Sequence, residues 1–172
     1  MASGLAIAIA GMCLTVYLQP AGLLPDTLAG RLQPLALSAV AATATLAVCI
    51  ARLAAHRFRT PQDLDGSGLT AGTDRARLLQ ALLQNTLEQL ALALPVYAAW
   101  AVLAPASVVD VVLVAALMFV SGRVLFFWGY ARGAPGRALG FALTFYPTIV
   151  LLLGALVFGA RTIITWQFLI PL

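Results

Sequence analysis

Lysine is absent from this chain, glutamate occurs once, at Glu88, and charged residues of all kinds fill only 9% of the 172 positions. Soluble domains carry charge at about a quarter of their positions, so this scarcity excludes a water-exposed globular surface over most of the chain. Cysteine is nearly absent too. Cys13 and Cys49 each sit in an apolar run with no Cys, His or carboxylate at metal-ligand spacing. A disulfide framework and a zinc site therefore lack support, no metal is expected, and both thiols read as small packing residues. No Lys or Arg precedes Arg31, so the basic start of a cleavable signal peptide is missing and the first apolar segment is expected to be retained.

What is present is hydrocarbon: 62% of residues are hydrophobic and the mean hydropathy is +0.99. A helix needs about 20 apolar residues to cross a bilayer. Five segments approach that length, at residues 4–24, 32–55, 76–103, 107–130 and 137–160. The expected fold is an all-α integral membrane protein. Gln19-Pro20 interrupts the first segment, where Pro ends or kinks a helix, so that segment either spans or lies at the interface. Pro95 and Pro147 fall inside spans and predict local kinks. The short connection at Ala104-Pro105-Ala106-Ser107 predicts an antiparallel hairpin of spans three and four. Ala39, Ala41, Ala42 and Ala44 would permit close helix packing.

The ten basic residues are all Arg and leave a net charge of +4. Most lie beside hydrophobic spans, which favours topology charge over nucleic-acid binding. Arg52, Arg57, Arg59, Arg75 and Arg77 flank one long loop, and Arg132 and Arg137 flank another. Both loops are expected on the cytoplasmic side of what would be a bacterial inner membrane, with the N-terminus inside and the C-terminus outside if the first segment spans, and both termini outside if it does not.

The polar residues within the spans carry the functional signal, because ionisable groups there are costly and usually functional. Gln84, Asn85, Glu88 and Gln89 form a stripe expected to face protein. Glu88 lies about 16 Å beyond Arg77 along a helix, and Arg123 about 13 Å before Arg132, so an ion pair between them is open. One reading is that Glu88 and Arg123 neutralise each other and fix register, with Asn85 completing the network.

These residues resemble the MAPEG family, the membrane-associated proteins of eicosanoid and glutathione metabolism. The carriers are Asn85-Thr-Leu-Glu88 in one span, and Arg123-Val-Leu-Phe126-Phe-Trp-Gly129-Tyr130-Ala-Arg132 followed by Arg137. The resemblance spans about residues 45–160. It implies a four-helix MAPEG-like bundle over residues 31–172, with residues 1–30 as an additional N-terminal hydrophobic segment. It also implies a homotrimer that binds glutathione as co-substrate between subunits and takes lipophilic small molecules from the surrounding lipid. Asn85, Glu88, Arg123, Tyr130 and Arg132 are similar to the family's glutathione contacts, and Arg137 to the arginine that stabilises the thiolate. A guanidinium beside a thiol raises the thiolate fraction.

Two positions depart from the enzymatic branch. Ala81 stands where an arginine is common, and Phe126 where a tyrosine is common. Losing one charge-assisted contact costs roughly 1.5–3 kcal/mol; Arg77, one helical turn before Ala81, is a candidate substitute. The implied activity is a glutathione-dependent transferase or peroxidase acting on lipophilic electrophiles. The alternatives are a non-catalytic lipid-binding or scaffold protein, and an accessory subunit of a larger membrane complex.

Three further features are weighed against plainer readings. Asp63, Asp65, Ser67, Gly68 and Asp74 fit an EF-hand loop in part, but Thr70 and Pro61 disfavour it and no second hand follows. A turn at Asp65-Gly66 with Thr73 or Asp74 capping the next helix is favoured. His56, among arginines, reads as an interfacial residue. Trp100, Trp128 and Trp166 lie near span ends and read as aromatic belts.

Overall fold

Each long helix presents a stripe of small or apolar side chains, and these stripes build the core of the computed structural model. It describes residues 2–18, 26–66, 69 and 71–169, with backbone alone at 2, 3 and 166–169. Helix α1 is Ala2–Leu18, α2 Leu28–Arg59, α3 Asp74–Leu103, α4 Val111–Gly129 and α5 Gly133–Leu169. The Gln19-Pro20 interruption lies outside the described residues. Along α2 the buried positions are Gly30, Pro34, Ser38, Ala42, Thr45, Cys49 and Leu53, a spacing of three to four residues that keeps one face inward. Of the four alanines expected at close contacts, Ala42 alone is fully buried. The opposite face carries Leu37, Val40, Val48 and Ile50, all exposed, as a helix bathed in lipid requires.

The four long helices form an all-α bundle with α1 added against it. Among the described residues, three helical runs are long and apolar enough to cross a membrane, Leu28–Arg59, Asp74–Leu103 and Ala106–Thr165. The last comprises α4 and α5, which fold back on each other where Gly133 takes φ +78°. An L side chain at that angle is strained, so Gly belongs there. The helices run through Pro34, Pro95 and Pro147 without interruption.

The α4–α5 hairpin is the tightest contact. A Cβ built on Gly140 would stand 2.3 Å from the Phe126 nitrogen and 2.7 Å from the Gly122 oxygen, and one on Gly129 would fall 2.0 Å from the Gly136 oxygen. Backbone therefore meets backbone, as small residues allow in membrane helices. Spans three and four are joined as expected, but α4 packs chiefly on α5 and α2, and α3 on α2 and α5. A short connection makes α3 and α4 antiparallel, but these glycines give α4 a closer partner. Trp100 is likewise a core residue, not a belt residue. It is 7% exposed, its indole nitrogen donates to the Val108 carbonyl at 3.0 Å, and Phe158 packs edge-on against it.

At the end distant from the long loop, Arg31 donates to the carbonyls of Ala101 at 3.2 Å and Ala104 at 2.8 Å while pairing with Asp26 at 2.7 Å. These carbonyls close α3, whose last turn would otherwise leave acceptors open. Gly140→Val is expected to force α4 and α5 apart at a cost of about 3 kcal/mol or more, seen as a lower melting temperature in detergent. Gly159→Ala, whose added Cβ meets only Leu103 at 3.5 Å, is the mild control.

Candidate functional site

Arg123 is the centre of the polar network, and it is wholly buried at 0% exposure. Nη1 donates to Asn85 Oδ1 on α3 at 2.8 Å, and Nη2 donates to Thr144 Oγ1 on α5 at 2.7 Å. The guanidinium also lies 4.4 Å from the Phe126 ring centroid, which offers its negative π face to the charge. Arg123 therefore joins three helices. Asn85 stands between it and the neighbouring cavity, whose walls do not include Arg123. Thr144 was not singled out by the sequence; a lone Thr in an apolar span ordinarily bonds its own helix, and Thr144 also donates toward the Phe141 and Gly140 carbonyls.

Glu88 does not pair with Arg123. It faces outward and accepts from Gln84 Nε2 at 3.0 Å. The expected polar stripe thus splits: Gln89 is buried and Asn85 half-buried, whereas Gln84 and Glu88, offset by one residue or about 100°, are exposed. A carboxylate directed at lipid is costly, so this face calls for a protein or polar neighbour.

Beside Asn85 a cavity of about 430 Å³ is lined by Phe126, Tyr130, Ala134, Arg137, Ala138 and Phe141 as well. Residues from α3, α4 and the start of α5 meet there because the Gly133 turn returns the chain over the end of α4. Arg137 lies 4.7 Å from the Tyr130 ring centroid, and Tyr130 packs edge-on against Phe126 at 5.3 Å. The ring thereby holds the Arg137 guanidinium over the cavity. Of the expected site residues, Asn85, Tyr130 and Arg137 are brought together here. Arg132 is not: it is exposed and stacks on Trp128 at 4.3 Å.

Arg77 lies in a second cavity of about 360 Å³, with Arg57, Asp63, Gln80, Ala81 and Gln84 among its walls. Arg57 donates to Gln80 Oε1 at 3.2 Å, and Arg77 pairs with Asp74. Within one chain Arg77 therefore does not replace the missing arginine at Ala81 in the Asn85 cavity.

The loop joining α2 to α3 is held by a different network. Asp63, 2% exposed, accepts the Thr73 backbone N–H at 2.7 Å and the Thr73 hydroxyl at 2.7 Å, and meets His56 Nε2 at 2.9 Å. Thr73 in turn caps α3 by accepting from the Ala76 N–H at 3.2 Å. His56 is thus a loop staple with a carboxylate partner, although its nearest sequence neighbours are arginines. Asp63 points into this staple, and the backbone turns at Gly66 with φ +81°, as the turn reading of the loop expects. Among the described residues no group of His, Cys, Asp or Glu is arranged to hold a metal ion.

A helical bundle that spans the bilayer and gathers Asn, Tyr and Arg in a cavity at one end of its α4–α5 hairpin belongs to the class of small polytopic membrane proteins with an intramembrane polar site. The MAPEG family signature matches residues 35–157, and the chain belongs to that family. It is therefore an integral membrane protein embedded among lipids. It is also 30% identical over 117 residues to the uncharacterized protein sll1147 of Synechocystis sp., a match covering 68% of this chain and 82% of that one. No solved structure matches this chain.

Two outcomes follow from these networks. Arg123→Leu should cost roughly 2–4 kcal/mol, because it strips the charged partner from Asn85 and Thr144 together. Arg123→Lys should recover part of that loss, as an ammonium cannot span both acceptors in the same fork; thermal melts in detergent measure both. The hydroxyl and N–H of Thr73 hold the Asp63 carboxyl below its ordinary value of 3.8. Its contribution is then complete above that pH and is lost as pH falls through the lower folded value. Pepsin should accordingly cut within residues 60–73 progressively faster below pH of about 4, and Asp63→Asn should be cut fast across the whole acid range.

Proposed function

We propose that this protein is a membrane-bound glutathione-dependent transferase or peroxidase for lipophilic electrophiles. The observation that carries this reading is Arg137 stacked on Tyr130 at 4.7 Å over a cavity that also receives Asn85. Glutathione brings a thiol, two carboxylates and amide groups. In this reading Arg137 stabilises the thiolate, the Asn85 amide and the Tyr130 hydroxyl seat the peptide, and the thiolate sulfur attacks the electrophile. Transfer forms a carbon–sulfur bond, and the leaving group departs with its electron pair or the adduct takes up a proton. Arg77, Arg132 and Glu88 would contribute from outside the cavity, because all three are exposed in a single chain.

Their exposure supports a homotrimer in which one subunit's Arg57 and Arg77 face approaches the next subunit's Asn85 cavity. Burial between subunits also accounts for Glu88, whose carboxylate would otherwise face hydrocarbon. The two Arg-flanked loops lie at the same end of the bundle, and positive charge favours the cytoplasmic side of a bacterial inner membrane. Residues 1–30 are then an N-terminal addition to the family unit of 31–172.

A second reading, a non-catalytic lipid-binding or scaffold protein, rests on one wall of the cavity. Phe126 has no hydroxyl to donate, its ring supports Arg123, and Ala81 supplies no guanidinium. Ultraviolet thiolate absorbance on adding glutathione to detergent-purified protein separates the two. The enzyme reading expects a saturable rise that Arg137→Ala abolishes and Tyr130→Leu weakens by roughly tenfold, the size of one cation–π or hydrogen-bond contact. Absence of the rise at millimolar glutathione would leave the scaffold reading standing.

A further inference from the structure

Helix α1 creates a cavity that the four long helices alone would leave as open surface. Its first half lies flush on the hairpin. A Cβ on Gly4 would fall 2.3 Å from that of Ala142, one on Gly11 would fall 2.3 Å from Met118 Cε, and Ala8 between them is 0% exposed. Past Met12 the small residues stop. Cys13, Val16 and Tyr17 then face Trp100 and Phe158, and two surfaces of bulky side chains cannot close to the same separation. The resulting wedge has a volume of about 450 Å³, within the range of roughly 300–1,000 Å³ usual for small-molecule sites.

Its walls are apolar throughout. The Trp100 indole N–H is already spent on Val108, and the Thr15 hydroxyl on the Gly11 carbonyl. Among the described residues the walls therefore offer an occupant hydrocarbon contact and no polar surface. One end differs. Val150, Gly154, Phe158 and Arg161 recur along one stripe of α5 at intervals of three to four residues. Arg161, one turn beyond the cavity, is exposed and carries no ion pair among the described residues. An apolar slot with an arginine one helical turn beyond its Phe158 wall, unpaired among the described residues and near a span terminus, matches a ligand with a hydrocarbon tail and an acid head.

We propose that the cavity between α1 and α5 binds an anionic amphiphile, its hydrocarbon chain in the slot and its acid group at Arg161. The site lies at the opposite end of α5 from Arg137, about 30 Å away at the helical rise. It is therefore separate from the glutathione reading and stands or falls without it.

Cys13, which lines the slot and is exposed, reports occupancy; Cys49, the other thiol, is buried and serves as the internal control. The full chain in detergent is treated with N-ethylmaleimide in the presence of sodium oleate, phosphatidylglycerol or methyl oleate, and modification at each cysteine is followed by peptide mass spectrometry. The acids should slow Cys13 modification roughly tenfold or more at saturation. Arg161→Gln should raise the acid concentration required by roughly tenfold, as expected for one charge-assisted contact, and should leave the weaker effect of methyl oleate unchanged. Val16→Trp, which fills the slot, should remove protection while Cys49 stays unreactive, showing that the fold is intact. Protection by oleate alone assigns a free acid, and protection by phosphatidylglycerol alone assigns a bilayer lipid; each supports the site. The proposal is overturned if neither acid protects Cys13, if methyl oleate protects as well as oleate, or if Arg161→Gln changes nothing.

Discussion

A fully buried guanidinium, with no carboxylate partner among the described residues, is the constraint on which this bundle turns. Burying Arg123 removes hydration worth many kcal/mol, and the fold offsets it with the Asn85 amide, the Thr144 hydroxyl and the face of Phe126. Each partner comes from a defined turn of a different part of the bundle, so shifting α3 or α5 by one residue would break a charged hydrogen bond. Among the described residues Nε meets no acceptor, and the guanidinium is held by the two bonds from Nη1 and Nη2. Glycines at 122 and 140 bring α4 and α5 close enough for Thr144 to reach. The same Asn85 and Phe126 that compensate Arg123 also form walls of the candidate site. Stability of the core and shape of the cavity are therefore one problem, and Phe126 illustrates the compromise: its ring serves the buried cation and gives up the hydroxyl that a tyrosine would present.

Polarity is sorted along the bundle as well as across it. At one end, Asp63, Thr73 and His56 close the loop before α3, Arg57 and Arg77 border one cavity, and Arg137 borders another. At the other, Arg31 ties off the carbonyls of α3, and the slot under α1 is apolar. Among the described residues, exposed Glu88 between these ends has Gln84 as its hydrogen-bond partner.

The helical fold was legible in composition and in the lengths of apolar runs, since a chain in a bilayer must satisfy its backbone within helices or a closed barrel. The family was legible in the ordered spacing of Asn85, Glu88, Arg123, Tyr130 and Arg137, and the Thr73 cap in its position before an apolar helix. Partner choice was not. Glu88 and Arg123 stand at matching depths, yet helical rotation turns one outward and the other inward, and depth along an axis carries no information about azimuth. The preference of α4 for α5 over α3 was equally hidden, because it depends on glycines from two helices meeting, not on the length of a connection.

By itself, the sequence determined that the chain is a helical membrane protein of a particular family, because hydrophobic length and side-chain spacing are local properties of the chain. Only the tertiary structure decided that Arg123 bonds Asn85 and Thr144, that His56 finds Asp63, that Arg77 and Arg132 stand apart from the Arg137 cavity, and that α1 opens an apolar slot. Each of those depends on how helices are rotated and pressed against one another, which is set by packing among residues distant in the chain.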